Sequence, residues 1–158
     1  MLWYIPIIPR FKRLFSIEKD AENLRWHAEG RKKNSLLKHS VDSPEWKNIY
    51  MKFRSFGNEV RNLRLGLCTD GMNPFDTLSA QHSTWPILLV IYNLPPWMCM
   101  KRKYMMLSLL ITGLRQPEND IDVYLEPLVD DLRRIWDEGV SVFDAHKNEM
   151  FTLHATIM

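Results

Sequence analysis

Arg64-Leu-Gly-Leu-Cys-Thr-Asp70-Gly71 is a short apolar run that closes on one carboxylate and a glycine. Such a run predicts a buried strand over Leu63–Thr69, with the glycine permitting a sharp turn straight after the acid. An ionised Asp at the end of a core strand is costly unless a cation or a metal pairs with it. Two more apolar runs follow, Trp85–Tyr92 and Tyr104–Thr112, each bounded by turn residues: Gly71, Asn73 and Pro74 before the first, Pro95 and Pro96 between them, Gly113 after the second. Both predict strands, and Ile87, Val90 and Ile91 add β-branching to the first. Asp122–Glu138 then carries Leu125, Leu128, Leu132, Ile135 and Trp136 at helical steps, closed by Gly139. Pro127 fits only the first turn of that helix or a kink. Met150–Met158 predicts a fourth strand.

Upstream of this series the chain changes character. Met1–Phe15 mixes prolines, aromatics and cations, and predicts an extended arm docked on a neighbour. Lys19–Glu29 predicts a helix ended by Gly30. Asp42-Ser-Pro-Glu45 is a helix start with a capping side chain, a first-turn proline and an acid near the N-terminus. Residues 1–61 thus form a basic, mainly helical lead-in, and residues 62–158 a sheet-forming unit.

Charge divides along the same line. Residues 1–64 hold fourteen Lys/Arg against seven Asp/Glu, whereas residues 65–158 hold seven against twelve. A basic front and an acidic back suit a protein that grips a polyanion with one part and collects cations with another, or two solvated surfaces of opposite sign. The 46% hydrophobic content supports a real core, and Cys68 and Cys99 form no paired motif. A reducing, soluble context is therefore expected. Pro6 and Pro9 interrupt the apolar N-terminal stretch, so it does not resemble a signal peptide, and no apolar run is long enough to cross a bilayer.

Three strands, a helix and a further strand make an α/β chain. The first three would form an antiparallel meander, and the crossover helix would lay the fourth parallel to the first. That is the order in which the ribonuclease-H-like mixed sheet begins. Six blocks sharpen the reading: Ile5–Phe15, Leu24–Gly30, Asp42-Ser-Pro-Glu-Trp-Lys47, Arg61-Asn-Leu-Arg-Leu-Gly-Leu-Cys-Thr-Asp-Gly-Met-Asn-Pro-Phe75, Trp85–Met100 and Asn119–Leu128. In order and spacing they resemble consecutive blocks of the plant CACTA (En/Spm-type) DNA transposases. The resemblance implies a ribonuclease-H-like core in which three acids hold two Mg²⁺ or Mn²⁺ ions that activate water or a 3′-hydroxyl against a DNA phosphodiester.

Asp70 matches the first of those acids. In such relatives the second ends the fourth strand beyond the position of Met158, and the third lies later. The expectation is thus an internal, incomplete portion of a transposase that binds no metal stably and is inactive alone. By resemblance it would act in the nucleus, with transposon-end DNA and full-length transposase as partners. The alternative is a non-enzymatic DNA-binding or oligomerising remnant.

Other residues invite weaker readings. Asp70 before Gly71 could be a plain Asx turn. Arg31, Lys32, Lys33 and Lys101, Arg102, Lys103 are candidate phosphate contacts, although charge runs are commonly just solvated surface. Asp120 and Asp122 could be substitute metal ligands, or favourable charge at a helix N-terminus. His27, His39, Cys68 and Cys99 lack the paired spacing of a zinc site. Trp26, Trp46, Trp85 and Trp97 are expected to be core and staple residues, and Met98, Met100, Met105 and Met106 gap-filling core.

Overall fold

The computed structural model describes residues 1–31, 38–71, 83–113 and 121–158. In chain order they form β1 (Leu2–Tyr4), α1 (Ile8–Phe15), α2 (Glu18–Asn23), α3 (Trp26–Glu29), a 3-10 turn (Ser40–Asp42), α4 (Pro44–Lys52) and α5 (Arg54–Asn58). There follow β2 (Leu63–Thr69), β3 (Ser83–Ile91), α6 (Pro96–Cys99), β4 (Met106–Gly113), α7 (Ile121–Asp137), β5 (Val140–Asp144), β6 (Glu149–Leu153) and β7 (Ala155–Ile157).

The apolar runs assemble a five-stranded mixed sheet in the order β1-β4-β3-β2-β7. The meander is antiparallel: Thr69 lies opposite Ile87, and Ile87 opposite Leu109. After α7 the chain returns beside β2 in parallel, with Leu63 opposite Ala155 and Leu65 opposite Ile157. Leu63, Leu65, Ile87, Leu89 and Leu109 have no exposed surface. Phe11 and Phe15 of α1, Leu128 and Ile135 of α7, and Val142 and Phe151 of the hairpin close the same apolar cluster. Phe15 meets Phe151 edge to face at 5.1 Å.

Three expectations are corrected by the backbone. The N-terminal stretch is no arm reaching to a neighbour: Leu2–Tyr4 pairs with β4, and α1 then buries Phe11, Leu14 and Phe15. The helix expected over Lys19–Glu29 is two short ones, α2 and α3. The run Met150–Met158 is not one strand. Val140 and Val142 alternate with exposed residues and pair with β6 in a separate two-stranded hairpin. At its end the backbone N–H of His154 donates to Asn62 Oδ1 at 2.8 Å, and Leu63 N–H donates to the His154 carbonyl at 2.9 Å. Those two bonds divert the chain from the hairpin into the main sheet, where Ala155–Ile157 alone forms β7.

Local punctuation behaves as its chemistry dictates. Ser43 Oγ accepts the Trp46 N–H at 3.3 Å, with Pro44 leading α4. Gly139 ends α7 at φ +73°, a conformation other residues rarely take. Pro127 sits inside α7 rather than in its first turn. The N–H it lacks is the one that would have met the carbonyl of Val123, a turn earlier.

Arg61, just before β2, ties the sheet to the hairpin. Its guanidinium donates to Glu59 at 2.8 and 2.9 Å, to Glu149 at 2.7 Å and to Asp144 at 3.3 Å. It also lies over the Phe151 ring at 4.0 Å.

Candidate active-site strand and basic surfaces

Asp70 follows the last residue of β2, where Leu67–Thr69 emerges from the core, and it is exposed. The turn after it is set by packing. A Cβ on Gly71 would stand 2.7 Å from the Trp85 ring, so the glycine serves a close approach rather than a positive φ. Trp85 is itself held by its Nε1–H donating to Ser83 Oγ at 2.7 Å. Gly71→Ala is therefore expected to displace the indole and cost about 1–3 kcal/mol, as overpacking does. Tryptophan fluorescence and urea titration would read both effects, and an unmoved spectrum with unchanged stability would contradict them.

Among the described residues no group of three His, Cys, Asp or Glu converges to hold a metal ion. Asp70 supplies one carboxylate. Ile157 of β7 lies level with Leu65, short of the Asp70 end of β2. This donor set does not fit a pair of divalent ions. Asp122 is exposed in the first turn of α7, where its charge suits the helix N-terminus; Asp120 lies outside the described residues. His27 and His39 pack on Trp46 and Trp26, Cys99 is buried and Cys68 exposed.

The basic clusters have different fates. Arg31 is ion-paired with Asp42, and that guanidinium holds the Asp42 carboxyl below the usual carboxylate range. Lys32 and Lys33 lie outside the described residues. Lys101 and Arg102 are exposed in the turn before β4. Lys103 bonds both oxygens of buried Asp20 at 2.9 Å, and Tyr104 Oη donates to the same carboxylate at 2.9 Å. The sheet does not bring this turn to Asp70: β4 and β2 are separated by β3, about 10 Å across the sheet at the usual strand spacing. Trp97, expected in the core, is 62% exposed and meets Trp26 edge to face. Met106 is buried, but Met100 faces solvent.

One feature of β2 escaped the sequence. Arg64 is 1% exposed, its cation ringed by Trp46, Tyr50 and Phe56 at 4.9, 5.2 and 4.8 Å. Nη1 donates to the Asn62 carbonyl at 2.7 Å, while Nε and Nη2 have no partner among the described residues. Burial pulls its pKa down to about 10. Nearby His27 is 3% exposed with neither ring nitrogen hydrogen-bonded among the described residues. Burial first, and then the Arg64 charge, pull its pKa down to about 3.

An antiparallel meander with a parallel strand laid beside its first member, and an acid where that first strand ends, defines a mixed α/β chain with a mixed five-stranded sheet. No helix among the described residues is long and apolar enough to cross a membrane. The model of the transposase family tnp2 matches residues 34–158, and the chain belongs to that family. Membership points to DNA as the general class of partner. No curated protein and no solved structure matches the chain.

Proposed function

We propose that this chain carries the opening portion of a ribonuclease-H-like catalytic core from a CACTA (En/Spm-type) cut-and-paste transposase of plants. The observation that carries the reading is the parallel return of β7 beside β2 after α7, with Asp70 following β2. Family membership supports it. On this reading Asp70 is the first metal-binding acid of a DNA-cleaving centre, working in the nucleus on transposon ends. Bound Mg²⁺ or Mn²⁺ would supply the activated water or 3′-hydroxyl. Among the described residues Asp70 alone would hold and orient one edge of such a centre, and on this reading residues 1–158 are inactive alone and retain no metal stably.

The assay is nicking of supercoiled plasmid with Mg²⁺ or Mn²⁺. Residues 1–158 are expected to leave it intact, and nicking abolished by Asp70→Ala would overturn the proposed inactivity. The catalytic assignment has its own test in Mn²⁺ broadening of the Thr69–Gly71 amide signals. It should be weak, appear at high metal concentration and vanish in Asp70→Asn. Broadening indifferent to that substitution would remove Asp70 from the metal-binding role.

The exposed Lys101 and Arg102 favour a second reading, a non-enzymatic DNA-binding or oligomerising remnant that associates with full-length transposase. Retention on duplex DNA that weakens steeply with salt, together with co-purification with intact transposase and no metal effect at Asp70, would favour it.

A further inference from the structure

We propose that Arg10 and Arg13 of α1 form a cradle for one phosphodiester group of the DNA backbone, beside the Lys103–Asp20 ion pair of the turn before β4 and away from Asp70. The inference rests on the transposase reading for its DNA, and adds a place and two arginines that the basic sequence clusters did not indicate.

These three cations come from segments far apart in the chain and line one cavity of about 310 Å³ with Asp20, between walls from Leu14 and Met106. The cavity is not neutral. Asp20 is 2% exposed and its oxygens are taken up by Lys103 and Tyr104, which leaves the two arginine charges uncompensated. Neither Arg10 nor Arg13 lies within ion-pair distance of a carboxylate among the described residues.

Arg10 is also pre-oriented. Its Nη1 donates to the Leu107 carbonyl at 2.6 Å, which fixes the guanidinium plane on the start of β4. Half-buried there, the cation has lost part of its hydration, and burial lowers its pKa with no carboxylate to offset the loss. A planar fork that is held in place and partly desolvated suits a tetrahedral anion with several acceptor oxygens. Arg13 is exposed at the cavity, and Lys101 and Arg102 are exposed in the same turn as Lys103. Contacts of this kind position a duplex without reading its sequence.

The experiment is anisotropy of a short labelled duplex of arbitrary sequence over a series of KCl concentrations, with wild type, Arg13→Ala, the double variant Arg10→Ala/Arg13→Ala, and Lys47→Ala as a control outside the cavity. The slope of log affinity against log salt should become shallower by about one for Arg13→Ala and about two for the double variant. Lys47→Ala should leave it unchanged. Should the double variant fail to melt cooperatively, the exposed Arg13→Ala decides alone.

Wild-type binding with an unaltered slope in Arg13→Ala overturns the cradle while DNA binding stands. No wild-type binding overturns both. A parallel titration with inorganic phosphate separates the sources: Arg13-dependent uptake of phosphate, with the duplex slope unchanged, makes this a free-phosphate site and overturns the DNA assignment.

Discussion

Arg61→Ala is expected to lower stability by about 3–5 kcal/mol, the cost of breaking a buried ion pair from one side. The guanidinium serves three carboxylates, and the one that matters is Asp144, which has no exposed surface. Without Arg61, Asp144 keeps, among the described residues, only the backbone N–H groups of His146 and Lys147, at 3.0 and 3.2 Å, against the burial of its full charge. Glu149 and Glu59 can turn to water and contribute little. The face of Phe151 also loses its cover, 4.0 Å from the guanidinium carbon. Arg61→Lys should recover little, because an ammonium cannot fork across several carboxylates and stack on a ring together. Urea unfolding measures all of this, and a loss under about 1 kcal/mol would show that Asp144 is compensated elsewhere.

The second large effect is acid lability from His27. In the unfolded chain its imidazole takes a proton near pH 6.5, whereas in the fold burial and the Arg64 charge delay that until about pH 3. Below pH 6.5 the unfolded state therefore binds the extra proton, and stability falls as pH drops toward 3. At pH 5 the loss is about 2 kcal/mol relative to pH 7. The carboxylates held low by arginine, Asp42 and Glu59, lose their contribution only in the more acidic carboxylate range. His27→Leu isolates the effect: between pH 7 and pH 5 the variant should lose about 2 kcal/mol less than wild type, the loss that remains coming from His39, whose pKa burial also lowers. Equal slopes for variant and wild type would show that His27 is protonated in the fold.

What the chain disclosed about itself follows the reach of each interaction. Leu63–Thr69 was predicted to the residue because its apolar run and its stop, Asp70-Gly71, are both local. The Ser43 cap and the helix over residues 121–137 were legible for the same reason. Arg64 was not. Its partners Trp46, Tyr50 and Phe56 come from α4 and α5, so a cation at the head of an apolar run looked like the polar margin of a strand. Asp20 is hidden likewise, because Lys103 and Tyr104, which make its burial tolerable, lie more than eighty residues on.

The β5–β6 hairpin did leave a signal, the alternation of Val140 and Val142, but the helix stop at Gly139 drew the reading past it. The divergence at His154 depends on the Asn62 side chain, which no periodicity announces. For the candidate centre, position was readable and company was not. Asp70 stands at the end of its strand, but its surroundings depend on which strands lie beside β2.

The pairing of Leu2–Tyr4 with β4 carries a practical corollary. Those three residues act as a border ribbon: removing them by proteolysis, or prying them off with a bulky fusion, would bare the unsatisfied amide and carbonyl groups of Leu109–Ile111 in an apolar strand. A preparation trimmed in that way should be prone to stacking one copy edge-on against another.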